Sequence, residues 1–479
     1  MFDFDEVYKT KIGEFGYWQK IIFASLGYIV MPGAMQVILA SFTQATPKFS
    51  CTMSETKKFI FMHPVCESEE LSTKCSAVWG PHNNESCNTF EFNHQIYKTT
   101  ITEDFNLVCD REIYGILLKM LSFFGWSVGA NFAGLLADNV GRKNAIIICS
   151  LAAFVLDFTG SYANSVFFYG ICKFLGAVAT MITMIASFVL LMEYSGESIR
   201  GTLGMHHTGS IFAGGLCVCT VLGYFIREWR LLQRFVSVFH LPNVVFMVFL
   251  EESPRWLMLK GRVLEAKKAL MVLGLKNGKG FDCIDDLVFE NESEPLLKKP
   301  LETDLSEKTN QDSELDLSQT QPDSKKAYSQ IDVFRQNTST TRVTLILMYL
   351  WIACALVYYA LTMGGAKLPG SIYVNTFILC FVEIPAVFCM QYFLNKYGRR
   401  ISSSACFLAG AIFCWLSMLS NQFGYCEARR DDFSNMWVVL NLVFSFTGKF
   451  FMCGAFAAVW VWTAEQGCPE QGTVRQSLA

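Results

Sequence analysis

Ten stretches of roughly twenty mostly apolar residues constrain this chain more than any other feature. They are Ile21–Phe42, Ile113–Ala137, Ala145–Ala163, Val166–Met192, Leu203–Phe225, Leu231–Leu250, Val343–Met363, Ile372–Leu394, Ser403–Ser420 and Met436–Trp462. A helix rises about 1.5 Å per residue, so about 20 residues cross the ~30 Å hydrocarbon layer of a bilayer. Inside lipid each backbone N–H and C=O must find its partner within the segment, which selects helices over open strands. Composition agrees: 52% of the 479 residues are hydrophobic and only 17% charged, against about 25% charged in soluble domains. A water-facing surface needs more charge than that. The sequence therefore predicts an all-α membrane protein whose first partner is the lipid bilayer.

Polar intervals divide the spans into groups. Residues Met1–Lys20 carry Asp3, Asp5, Glu6 and Glu14 without an apolar core, unlike a cleaved signal peptide. Span one, Ile21–Phe42, is followed by a long interval, Thr43–Glu112, with Cys51, Cys66, Cys75, Cys87 and Cys109 and the sequon Asn84-Glu85-Ser86. Cysteines beside a glycosylation site fit an oxidising, extracellular loop. The five are disulfide candidates whose connectivity stays open, one thiol being free or paired elsewhere, for example with Cys426. Spans two to six fill Ile113–Leu250. The interval Glu251–Arg342 opens with a basic, helix-periodic stretch, Ser253–Leu275, and turns into an acidic Ser/Thr/Gln tract, Asp282–Ser324, expected to be unstructured. Spans seven to ten fill Val343–Trp462, and Thr463–Ala479 closes the chain. Counting Lys and Arg near the span ends puts Arg142, Lys143, Arg200, Lys396, Arg399 and Arg400 inside, with both termini cytosolic.

An internal repeat runs through this pattern. Span two leads into Gly134-Leu-Leu-Ala-Asp138-Asn-Val-Gly141-Arg142-Lys143, and span eight into Asn395-Lys-Tyr-Gly398-Arg399-Arg400. Glycine permits a sharp turn at the membrane surface, where the basic residues stay in water. Spans four and ten also echo each other, Glu193 being followed by Arg200 and Glu465 by Arg475. A two-fold helical repeat suits a transporter that holds its substrate between the halves.

The Gly-x-x-x-Asp-x-x-Gly-Arg-Lys string resembles the signature loop of the major facilitator superfamily. Further stretches resemble the organic cation/anion/carnitine transporters, solute carrier family 22: Ile12-Gly-Glu-Phe-Gly-Tyr-Trp-Gln-Lys20, Asp104-Phe-Asn-Leu-Val-Cys109-Asp, Glu252-Ser-Pro-Arg-Trp-Leu257 and Val382-Glu-Ile-Pro-Ala386. A sugar porter is disfavoured by the large Cys-bearing loop. The resemblance implies a facilitator-type bundle in the plasma membrane that moves a small organic ion by alternating access, organic cations or zwitterions such as carnitine first and organic anions as the alternative. The family has twelve helices, so six plus four are expected here, with the last two absent. A shortened, non-transporting or regulatory form is the competing reading. Gln391 and Asn395 replace the family's Gly and Asp, and Lys119 stands where relatives carry Gln.

Ionisable groups in mid-span cost about 2.5–3.5 kcal/mol on insertion scales, so each needs a reason. They are Lys119, Asp157, Lys173, Glu383 and Lys449. Glu383 is either a substrate-side charge or the partner of Lys449, and Lys173 and Lys449 hold corresponding places in the two halves. Phe123, Phe124, Trp126, Trp351, Tyr358 and Tyr359 are candidates for a cage around an ammonium group, against the plainer role of packing helices. Tyr358 and Tyr359 lead that set. Asp138, Gly141, Arg142, Lys143, Glu193 and Arg200, with Gly134, Gly398, Arg399, Arg400 and Glu465, form the candidate conformational network. His206 and His207 lack further ligands at metal spacing, and no triad, Walker loop or dinucleotide fingerprint occurs. A net charge of −3 advertises no nucleic-acid surface. No metal, cofactor, nucleic-acid partner or catalysis is expected, and the sequence leaves the oligomeric state open.

Overall fold

The computed structural model describes residues 4–47, 49–51, 76–79, 83–86, 90–279, 338–365, 368–424 and 436–466. Cys66, Cys75, Cys87, the tract Asp282–Ser324 and the side chains of Cys51, Asn84 and Glu465 lie outside the described set. Among the described residues ten helices are long and apolar enough to cross a membrane. They are α1 (Tyr17–Thr43), α2 (Glu112–Val140), α3 (Arg142–Gly160), α4 (Val166–Glu193), α5 (Glu197–Phe225), α6 (Trp229–Phe249), α7 (Thr338–Gly364), α8 (Ile372–Tyr397), α9 (Arg399–Gly424) and α10 (Met436–Gln466).

Several helices outrun the apolar stretches that announce them, because a helical ladder ends where its caps lie rather than where lipid begins. α3 starts directly after Gly141 at φ +101°, and α9 directly after Gly398 at φ +80°. Glycine alone enters this left-handed region without a steric cost. The signature repeat is thus two glycine turns of the same hand. α8 is interrupted at Val382, where Pro385 supplies no N–H to the carbonyl four residues earlier.

α4 packs between α2 and α3, and α1 rests on α4 and α5. In the second half α10 carries α7, α8 and α9, while α5 meets α8 and α10 across the halves. Small residues allow the closest approaches: a Cβ on Gly125 or Gly129 would stand 2.6 Å from the carbonyl oxygen of Phe174 or Val178. Gly134 and Gly214 face open space instead. Five residues past Gly129, Gly134 has rotated off the α4 seam.

Elements that the hydropathy did not announce cover both ends. At one end β1 (Phe49–Cys51) pairs antiparallel with β4 (Phe90–Phe92), and β2 (Ser76–Trp79) with β3 (Asn83–Ser86). Cys109 is disulfide-bonded. The Asp104 motif anchors this end: its carboxylate accepts from Trp229 Nε1 at 2.9 Å and from Arg230 Nε at 3.2 Å. At the signature-loop end, residues 4–12 are helical and bury Tyr8 and Ile12. The stretch Ser253–Leu275 forms two helices, Pro254–Leu259 and Val263–Lys276, rather than one, and Gly261 at φ +73° makes the turn between them.

Candidate functional site

Three groups of polar side chains are built into the bundle. The first lies in the first half. Lys173 on α4 donates to Gln36 Oε1 on α1 at 2.5 Å, and Gln36 Nε2 donates to Asp157 Oδ2 on α3 at 2.8 Å. Lys173 Nζ itself stands 3.6 Å from Asp157 Oδ1, so the neutral amide is the tighter link between cation and anion. His240 Nε2 approaches Asp157 to 3.8 Å, and Gln233 donates to the Asp157 carbonyl. Asp157 is 2% exposed and central to this group.

Gln36, Asp157 and Lys173 line a cavity within the bundle. Gln36, Gln44, Lys119, Phe123, Trp126 and Thr180 complete most of its wall, and Met363 contributes from α7, so both halves bound it. Thr180 Oγ1 and Gln44 Oε1 are buried there without a hydrogen-bond partner. Such atoms cost about 1–3 kcal/mol each when left unpaired, which favours a wall built for a polar occupant.

The second group is sealed. Lys449 Nζ lies 2.8 Å from Glu383 Oε1 and 2.5 Å from Thr362 Oγ1, and 3.5 Å from the centre of the Tyr358 ring. Tyr358 donates its hydroxyl to Glu383 Oε2 at 2.8 Å. Lys449 is fully buried and Glu383 3% exposed. The structure joins Glu383 to Lys449 and keeps both off the cavity wall.

The third group closes the signature-loop end. Arg142 binds both carboxylate oxygens of Glu193 through Nε at 3.2 Å, and Asp138 through NH1 at 3.0 Å. Glu252 accepts the backbone N–H groups of Lys143 and Ser253, and Lys143 Nζ donates to the Leu250 carbonyl at 2.6 Å. Burial lifts the Glu252 carboxyl above its ordinary range, opposed by those two N–H groups and by Arg142. A side chain on Gly141 would collide with the Glu252 carboxylate. Arg200 does not join Glu193; it pairs with Asp5, which also takes Arg255 at 2.6 Å. Tyr8 donates to the Glu193 carbonyl at 3.1 Å.

The sequence-derived sets divide accordingly. Asp138, Gly141, Arg142, Lys143 and Glu193 come together, as do Glu383, Lys449 and Tyr358. The aromatic cage does not assemble as drawn. Phe124 stacks on Phe174 and is 59% exposed, and Trp351 packs on Phe456 and Trp460, because their positions on α2 and α7 point away from the cavity. Tyr358 is taken by Lys449, and Phe123, Trp126 and Tyr359 cluster, with Tyr359 5.0 Å from Phe123 and 5.2 Å from Tyr358. Arg400, which stands in the place of Lys143, is exposed. Gln36 and Tyr8 escaped the sequence reading, and Asp5, Glu252 and Arg255 entered it only as part of an acidic terminus and a family motif. The residue Gln391 supplies another contact: its amide meets His206 Nε2 at 2.7 Å and Thr202 at 3.3 Å, joining α8 to α5 across the halves.

A helical bundle with a two-fold signature turn and buried ion pairs around a cavity between its halves defines a membrane transporter of the major facilitator type. The sequence profile described as "Sugar (and other) transporter" matches residues 85–470, and the chain belongs to that family. Among similar proteins, human organic cation/carnitine transporter 2 is 27% identical over 97% of this chain and 81% of its own length. Human solute carrier family 22 member 16 is 26% identical over 78% of this chain, a region spanning 58% of that relative. The partially occluded inward-open xylose transporter XylE of E. coli superposes with a TM-score of 0.55 over 94% of this chain and 87% of its own, at 12% identity, a likeness of fold. Family and fold are those of membrane transporters of small molecules, not of enzymes.

Proposed function

We propose that this protein carries small organic ions across the plasma membrane by alternating access, with organic cations, zwitterions such as carnitine and organic anions as the candidate cargo. The observation that carries the reading is the cavity bounded by both halves and lined by Lys119, Asp157 and Lys173. Charged side chains are kept inside a bilayer when they line a solute path or pair with one another. The relatives named for organic cation and carnitine transport support the same class. In this reading Glu383, Lys449 and Tyr358 lock α7, α8 and α10 into one unit, and Lys119, Phe123, Trp126 and Tyr359 face the solute.

The Arg142 group then serves as the closure on the cytosolic side, with Gly398, Arg399 and Arg400 marking the same turn in the second half. It holds that side shut while the cavity opens outward and releases as the halves tilt. Both termini and the Asp282–Ser324 tract lie in the cytosol in this reading, and the Cys51–Cys109 loop, with Asn84 glycosylated, lies outside. Uptake of labelled tetraethylammonium, carnitine and p-aminohippurate by cells expressing the chain, with surface biotinylation alongside, tests it. Saturable flux of at least one is expected. Surface arrival without flux of any would favour a non-transporting role, and protease labelling of both loops on one side would overturn the topology.

A further inference from the structure

The partners given above for Arg142, Lys143 and Arg255 all lie in the first half. A step across to the second half is made nearby, between α5 and α8. Thr202, His206 and Ser210 recur every four residues along α5 and share one face. A π-helical stretch, His206–Ile211, runs through them, a form found mostly as single turns and frequently at functional sites. Ser210 donates its hydroxyl to His206 Nδ1 at 3.0 Å, His206 Nε2 donates to Gln391 Oε1 at 2.7 Å, and Gln391 Nε2 donates to Thr202 Oγ1 at 3.3 Å. An amide oxygen only accepts, which assigns the imidazole proton to Nε2. The Phe388 ring lies 4.5 Å from that of His206, and Gly209 lets α8 close in, since a Cβ there would stand 2.6 Å from Val387 Cγ2. In the internal repeat Gln391 holds the place of Gly134, each seven residues before its turn glycine. Gly134 faces open space, whereas Gln391 reaches into the other half. At their opposite ends the same two helices meet through Tyr224 and Tyr373, 5.5 Å apart, with Phe42 of α1 stacked on Tyr373.

We propose that Gln391 is a clasp between the halves that sets how readily the bundle opens at the signature-loop end, an inference that rests on the alternating-access reading above. Opening at that end draws α8 away from α5 and breaks both Gln391 bonds, while the aromatic contact at the far end stays as the pivot. Opening at the far end parts Tyr224 from Tyr373 and keeps the clasp. Neutral partners suit a contact that is made and broken in every cycle, because no charge is stranded when it parts. Gln391 is not among the residues of the cavity wall. It is a positioning residue, acting on the solute path through the two helices it joins.

Amide hydrogen exchange of the purified full chain in detergent, read by mass spectrometry, tests this without depending on flux. Gln391→Ala and His206→Ala should each speed exchange about three- to tenfold over residues 197–211 and Glu383–Tyr397, as the loss of one or two hydrogen bonds allows. The stretches around Tyr224 and Tyr373 should not speed up. The double variant should exchange no faster than the faster single, since both variants break one chain of bonds. Gln391→Glu still accepts from His206 and should retain most of the protection. Exchange unchanged in Gln391→Ala, raised equally at both ends of α5 in a variant that keeps its unfolding midpoint, or raised again by adding His206→Ala would each overturn the proposal. So would Gln391→Glu exchanging as fast as Gln391→Ala. Where Gln391→Ala does not fold, Thr202→Val, which deletes a single hydroxyl, decides by the same comparison of the two ends. Faster exchange confined to the signature-loop end, without flux of any of the three labelled solutes, would defeat the transport reading alone. Flux with exchange unchanged in Gln391→Ala would defeat this one alone.

Discussion

Lys173 and Lys449 stand at corresponding places on α4 and α10, yet the two halves neutralise them differently. Lys173 reaches its carboxylate through the Gln36 amide, draws that carboxylate from the neighbouring α3, and keeps one side on the cavity. Lys449 holds Glu383 of α8 directly, under a tyrosine ring and a threonine hydroxyl. The difference teaches that a repeat can preserve the place of a charge while exchanging the helix that answers it. One half then keeps its cation at a cavity wall, and the other seals it away.

The largest expected effect comes from breaking the clamp. Glu383→Gln strands a fully buried ammonium and should destabilise the protein by about 3–5 kcal/mol, seen as a fall in the unfolding midpoint in detergent. Adding Lys449→Gln should recover most of that loss; a double variant as unstable as the single would show that the pair is not the unit. Next, Arg142→Ala should slow uptake about tenfold, the equivalent of ~1.4 kcal/mol, with little change in KM, since it loosens a closure rather than a contact with solute. Arg400→Ala, at an exposed position, should stay within about 0.5 kcal/mol of wild type in stability, and a larger loss would show that this turn holds a buried contact. Asp157→Asn should cost less than Glu383→Gln, about 1–3 kcal/mol, because Gln36 remains on Lys173 and the cavity admits water to it. A cost as large as that of Glu383→Gln would mean that both clusters are clamps.

The smallest effect is a pH dependence. The Glu252 carboxyl is raised above its ordinary 4.5, chiefly by burial. A raised carboxyl contributes stability that is complete below the ordinary value and lost as pH rises through the folded one. Unfolding midpoints of wild type should therefore fall relative to Glu252→Gln as pH increases across that interval. The opposite slope would show that Arg142 and the Lys143 backbone outweigh desolvation.

The spans, the two glycine turns and the unusual mid-span charges were legible because membrane crossing imposes length, left-handed backbone imposes glycine, and lipid penalises charge. Partner choice was less legible. Arg142 could be assigned to Glu193 from the repeat, but Asp5, Tyr8 and Arg255 meet across 185 to 250 positions of chain, where no local pattern operates. The aromatic cage failed for a related reason. In a bilayer both the packed face and the lipid face of a helix are apolar, so periodicity does not distinguish Phe123 from Phe124, although one lines the cavity and the other faces outward. Gln36 was overlooked because an uncharged amide in an apolar run carries little weight until its neighbours are known.

Asp5 has a practical consequence for anyone who handles this protein. It answers two guanidinium groups at once, Arg200 at the head of α5 and Arg255 after α6. An affinity tag, fluorophore or protease cut that displaces the first dozen residues would take the carboxylate from both arginines, leaving Arg200 only the Met192 and Ser195 carbonyls, and pull the Tyr8 hydroxyl off the end of α4. Reporters belong elsewhere, and a fusion at the amino end should be checked against an untagged control before any loss of uptake is blamed on the cavity.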